Sequence, residues 1–194
     1  DLTITSSKIT VTALPDNLVT NVYSNKGADY FDALDIDVTL YIDTTSGNNS
    51  QLGIALVNTS TPNTEVRTTL ATTDCYAYAY NYPVGPATSV YLMRGANVAT
   101  DNLSISTNTP YYCTLSRAAG NDTITFAVYS DPQRTSQVGS TLSVSGFGTA
   151  TKWQYLYGLL VHNSDEGPTT TGYIENLKLN LSTPAPLPTF FQAP

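Results

Sequence analysis

Leu34-Asp35-Ile36-Asp37-Val38-Thr39-Leu40-Tyr41-Ile42-Asp43 sets an aliphatic residue at every second position, with Asp, Thr or Tyr between. Period two is the spacing of a β-strand with one buried face, so this segment predicts a strand with the aliphatic side inward. The same period, or a short apolar run between turn residues, predicts further strands from Leu2 to Ile4, Ile9 to Ala13, Leu52 to Val57, Cys75 to Tyr82 and Val90 to Arg94. It continues from Tyr111 to Leu115, Thr123 to Tyr129, Thr141 to Val144, Trp153 to Val161 and Tyr173 to Leu181. Turn residues punctuate these runs at Ser46 to Asn49, Pro83 to Pro86, Ala119 to Asp122, Ser130 to Pro132 and Asn163 to Gly167. No segment sustains an i, i+3, i+4 pattern, so helix is expected to be nearly absent.

Short strands at hairpin spacing point to an all-β fold of two antiparallel sheets, a sandwich or jelly roll. At 194 residues one domain is expected, over residues 1–182. Residues 183–194 form a Pro-rich extended tail whose Phe190-Phe191 pair is a candidate for docking on a neighbouring subunit.

Charged residues make up 12% of the chain, about half the usual share, and the net charge is −7. The eight Lys and Arg are scattered singly, so no basic stripe offers itself to phosphates and nucleic-acid binding is not expected. No apolar run approaches the roughly 18 residues of a membrane span. A chain opening on Asp1 is expected to be a processed or trimmed product, and the low-charge, Thr/Asn-rich composition suggests an extracellular, cell-surface or virion setting. Cys75 and Cys113 are the only cysteines, and in such a chain a disulfide is favoured over a redox or metal site, with two unconnected buried thiols as the alternative.

The segments from Leu2 to Thr12 (LTITSSKITVT), Tyr111 to Asp131 (YYCTLSR followed by ITFAVYSD) and Tyr155 to Leu179 (YLYGL followed by GYIENLKL) resemble the concanavalin A-like, laminin-G-like jelly-roll domains. Such domains occur in bacterial surface and phage structural proteins. The resemblance covers roughly residues 1–182 and rests on strand and turn patterns. It implies two sheets of about six strands, one of them concave, with ligands or ions held at the rim. Members include lectins, adhesion modules, polysaccharide hydrolases and lyases, and structural domains.

The hydrolase branch of that superfamily carries a Glu-x-Asp-x-(x)-Glu set on one strand face, and nothing here matches it. Glu65, Glu166 and Glu175 are far apart, and Asp35-Ile36-Asp37 has no accompanying glutamate, so solvated surface is its simplest reading. His162 is the only histidine and no nucleophile elbow is present, so catalysis is not expected. Asp165 and Glu166, with Asn163, offer hard oxygen ligands as a weak Ca²⁺ candidate; no cofactor is required.

Cys75-Tyr76-Ala77-Tyr78-Ala79-Tyr80-Asn81-Tyr82 places four tyrosines on one face of a strand and small residues on the other. If Cys75 bridges Cys113, the alanines point inward and the tyrosines line the outside, as candidates for stacking on sugars or joining another subunit. Otherwise the tyrosines fill the core or lie under a loop. Trp153, Tyr155, Tyr157, Leu159 and Val161 read as a second stripe on one face, a core stripe whose Trp153 end reaches the rim as a further sugar-binding candidate. Two functions follow as expectations: a non-catalytic lectin-like module for glycan binding or adhesion, or a structural subunit of a virion or surface filament that contacts neighbouring subunits, its own copies included.

Overall fold

A computed structural model describes residues 1–15, 18–43, 50–58, 71–81, 88–96, 98–163 and 169–180. In chain order the strands are β1 (Leu2–Ile4), β2 (Lys8–Leu14), β3 (Leu18–Asn25), β4 (Leu34–Ile42), β5 (Ser50–Val57), β6 (Cys75–Asn81) and β7 (Thr88–Arg94). They continue as β8 (Ala99–Ile105), β9 (Tyr111–Arg117), β10 (Ile124–Tyr129), β11 (Leu142–Val144), β12 (Tyr155–Asn163) and β13 (Thr170–Leu179). A seven-stranded sheet runs β1-β2-β13-β4-β9-β10-β11 and a six-stranded sheet runs β3-β12-β5-β6-β7-β8. All the pairings are antiparallel, and the described residues contain no helix. The two-sheet sandwich expected from the alternation is the fold observed.

The decisive stretch becomes β4, third from neither edge but central, between β13 and β9. Leu34, Ile36, Val38, Leu40 and Ile42 are all buried toward the opposite sheet, where Leu52, Ile54, Leu56, Ala77, Val90 and Leu92 meet them. Removing that apolar surface from water drives the two sheets together.

β3 and β8 were not expected, and they are the two edges of the six-stranded sheet. An edge strand packs few neighbours, so its sequence need not carry an aliphatic stripe: β8 reads Ala-Thr-Asp-Asn-Leu-Ser-Ile, alternately half-buried and exposed. One end of the sandwich is fastened by arginines. Arg117 donates from Nε to Asn121 O (2.7 Å), from Nη1 to Thr151 O (2.6 Å) and from Nη2 to Gly148 O (2.9 Å), while its guanidinium lies 4.8 Å from the Trp153 ring centre. Arg94, from the six-stranded sheet, donates to Gly146 O (2.8 Å) just beyond β11 of the other sheet.

Cys75 and Cys113 are buried free thiols, which corrects the expected disulfide. Cys75 lies on β6 and Cys113 on β9, in opposite sheets. Packed sheets stand about 10 Å apart, beyond the roughly 7 Å Cα separation a disulfide tolerates. Burial raises both thiol pKa values well above the ordinary range, so neither forms a thiolate near neutrality.

Candidate functional site

Strand register assembles the tyrosines of the six-stranded sheet on its outer face. Cys75, Ala77 and Ala79 point into the sandwich, so Tyr76, Tyr78 and Tyr80 point away from it. Tyr78 lies opposite Gly53 on β5 and Tyr91 on β7. A Cβ on Gly53 would collide with Ala77 O and stand 2.5 Å from Tyr78 Cβ, so glycine is what lets the Tyr78 side chain cross β5. Tyr76 stacks on Tyr78 (4.2 Å between ring centres, 12°), and Tyr78 on Tyr91 (5.4 Å, 16°).

β12 adds Tyr155 and Tyr157, and β3 adds Tyr23, stacked on Tyr157 at 5.1 Å. The expected common face of Trp153, Tyr155, Tyr157, Leu159 and Val161 does not form. A register shift follows Tyr157, so Tyr155 and Tyr157 face outward while Leu159 and Val161 enter the core. Trp153 precedes the strand, bridges Phe31, and is fully buried with its Nε1 donating to Thr73 O at 2.8 Å. It cannot serve as a rim platform. The register shift escapes a sequence reading because only Gly158 hints at it.

The outer face is therefore tyrosine-rich, yet its centre is closed. Tyr76, Tyr78 and Tyr80 are 0%, 2% and 6% exposed, packed with Ala55, Met93 and Leu160 in a second apolar cluster. Of the two readings the sequence leaves open for the β6 row, the open one fails: the tyrosines point outward but are packed. What remains accessible is the margin: Tyr23 at 45% exposure, with Tyr91 and Tyr155 half-buried. Toward one end the face turns polar, where the register sets His162, Gln51, Tyr80 and Ser89 side by side. All four are buried, and Gln51 Oε1 accepts no hydrogen bond from the described residues.

The outer face of the seven-stranded sheet carries tyrosines that the sequence reading passed over. Tyr41 stacks on Tyr173 at 4.7 Å and 9°, and Tyr112 lies opposite Tyr129. All four are partly exposed. The available signal was positional: Tyr41 stands among the polar residues of the opening stretch, and Tyr112 follows the inward-facing Tyr111.

Asp35 and Asp37 lie on this same face. Asp37 accepts from Thr114 Oγ1 (2.7 Å) and Asn180 Nδ2 (2.9 Å) and pairs with Arg134 Nε (3.2 Å). Tyr82, Asp165, Glu166, Phe190, Phe191 and the tail of residues 183–194 lie outside the described residues. Among the described residues, no three His, Cys, Asp or Glu side chains gather to hold a metal ion.

Solved structures with the same arrangement decide the fold. The legume lectin-like domain from Entamoeba histolytica superimposes with a TM-score of 0.63 at 7% identity, covering 94% of this chain and 87% of that one. The exoplasmic/lumenal domain of VIP36, in its Ca²⁺/Man3GlcNAc-bound form, gives 0.61 at 9% identity over 97% and 86%. The fold is legume lectin-like. A CBM2 module from the evolved Dit of Lactobacillus casei BL23 phage J-1 matches this lectin-like sandwich at 0.51 and 9% identity, over 94% and 81%. No family model matches the sequence, and no curated protein does. The concanavalin A-like architecture implied by the sequence resemblance is the one present.

Proposed function

We propose that the lectin-like sandwich is a non-catalytic glycan-binding module working outside the cell, at a cell surface or on a virion. The observation that carries the reading is the outer face of the six-stranded sheet, where seven of the chain's 14 tyrosines collect. Tyrosine joins a flat apolar ring to a hydroxyl, which suits it to the C–H faces and hydroxyls of sugars. VIP36, which shares the fold, has a structure with Man3GlcNAc and Ca²⁺, and this supports the substrate class and makes calcium a condition to vary. Asp37, engaged by three partners, is unsuited to acid/base work, in keeping with a binding role.

The test is a glycan array run with calcium and again with chelator. Wild type is expected to retain at least one glycan class, and Tyr91→Ala, at the accessible margin, to weaken it. Absence of any ligand under both conditions would refute the reading.

A second reading, a structural subunit, is favoured by exposed apolar residues on the edge strands: Leu2 and Ile4 on β1 and Leu18 on β3, at 40%, 59% and 47% exposure. It requires self-association in sedimentation experiments, and a strict monomer at high concentration would exclude assembly by this chain alone.

A further inference from the structure

We propose that the outer face of the seven-stranded sheet is a second glycan-binding surface, one that takes an extended neutral polysaccharide. The proposal rests on the glycan-binding reading above and places a site where that reading does not need one.

The tyrosines here are held in position before any ligand arrives. Tyr41 and Tyr173 face each other across β4 and β13 in nearly parallel planes, and Lys8 Nζ lies 3.4 Å from the centre of the Tyr173 ring. Tyr41 Oη donates to Asn108 Oδ1 at 2.7 Å. One row along, Glu175, Thr39, Tyr112 and Tyr129 follow one another over four adjacent strands. At strand spacing these four strands span roughly 14 Å, the width of a short run of sugars rather than of one. Rings ordered in advance lose little entropy on binding.

Charge and composition select the ligand. Lys8, Lys178 and Arg134 stand among Asp35, Asp37, Asp43 and Glu175, three cations against four carboxylates, on a chain whose net charge is −7. Asp37 already has Thr114, Asn180 and Arg134 as partners, and Lys8 sits on a ring. The two signs are interspersed rather than gathered, and the slight excess of carboxylate disfavours an anionic ligand, which leaves neutral hydroxyls as the chemistry this face suits best.

A second copy of this chain is the competing occupant. The strand positions on this face present mainly Thr, Ser, Tyr and charged residues, with small Ala127 on β10 among them and no large aliphatic. A protein interface centres on desolvated apolar anchors, and burying the Asp37–Arg134 pair in one would cost desolvation. A neutral glycan can cover ring faces while its hydroxyls exchange hydrogen bonds with the surrounding hydroxyls and carboxylates.

The deciding experiment is affinity electrophoresis through gels containing mannan, β-1,3-glucan, xylan or galactan. Its arms are wild type, Tyr41→Ala/Tyr112→Ala, and Tyr91→Ala on the opposite sheet. Retardation of wild type by at least one polysaccharide is expected, made roughly tenfold weaker by the double substitution with melting little changed. If the double variant unfolds, Tyr112→Ser alone carries the comparison. Retardation equal to wild type in the folded variant overturns the second surface and leaves the glycan reading intact. No retardation of wild type in any gel overturns the second surface, and the glycan array then decides the wider reading. Sedimentation of the same proteins closes the alternative: a wild-type dimer abolished by the double substitution would assign the face to a second copy and overturn the proposal.

Discussion

Tyr78 and Tyr112 occupy equivalent places. Each points outward from an inner strand and alternates with inward-facing neighbours, Ala77 and Ala79 beside Tyr78, Tyr111 and Cys113 beside Tyr112. Tyr78 is 2% exposed, whereas Tyr112 remains partly open. The difference lies in the company that register brings. Around Tyr78 stand Gly53, Tyr91, Tyr76 and Tyr80, with Met93 and Leu160 in the same cluster, an apolar set that packs as a second core. Around Tyr112 stand Thr39, Tyr129, Thr114 and Glu175, a polar set in which Thr39 is buried and the other three stay partly exposed. A tyrosine's role in this sandwich is therefore set by its neighbours across the sheet more than by those along the chain.

The largest effect should come from testing that difference as stability. Tyr76→Ala removes a fully buried ring that stacks on Tyr78 at 4.2 Å, and with it the Tyr76 hydroxyl that donates to Leu160 O. It is expected to cost about 3–5 kcal/mol, as buried aromatic truncations do. Tyr112→Ala should cost roughly 1 kcal/mol or less, since its ring keeps contact with water. Urea unfolding of the two variants gives both numbers, and similar losses would show that the two faces are equally packed.

The sandwich itself was legible because its central strands sort aliphatic from polar residues without interruption, as β4 does from Leu34 to Ile42. β3 and β8 were not, since edges need less burial and their stretches look like loop sequence. The inward turn of Cys75, Ala77 and Ala79 could be read from β6, though for a reason that failed: no disulfide draws that face inward, and packing against the other sheet suffices. Closure of the tyrosine row could not be read, because Met93 and Leu160 come from strands distant in the chain. Nor could the change of face in β12, which follows from a register shift rather than from composition.

The two thiols sharpen the comparison at an intermediate size of effect. Cys75 adjoins the closed tyrosine face and Cys113 the open one, yet both side chains enter the same interior and are fully buried. Ellman's reagent is expected to find no reactive thiol in the native protein and two after denaturation, and added reductant should leave the melting temperature unchanged. Two protected sulfurs after denaturation without reductant would mean that a covalent tie joins the sheets, and that a disulfide contributes several kcal/mol to their association.

The smallest effect concerns the end where the sheets are fastened. Asp122, in the turn before β10, accepts N–H bonds from Gly148 (2.5 Å) and Gly146 (3.0 Å), and those bonds hold its carboxyl below the usual carboxylate range. Gly146 O in turn receives Arg94 from the opposite sheet. A carboxylate with a depressed folded pKa contributes stability above its unfolded value, near pH 4, and that contribution fades as pH falls through the folded value. Acidification from about pH 4 downward should therefore loosen this end, and Asp122→Asn should show a shallower loss of melting temperature over that range. The effect should be modest because the carboxylate is screened by solvent. An unchanged acid slope in Asp122→Asn would assign the acid sensitivity to other carboxylates and leave the clasp between the sheets to Arg94 and Arg117.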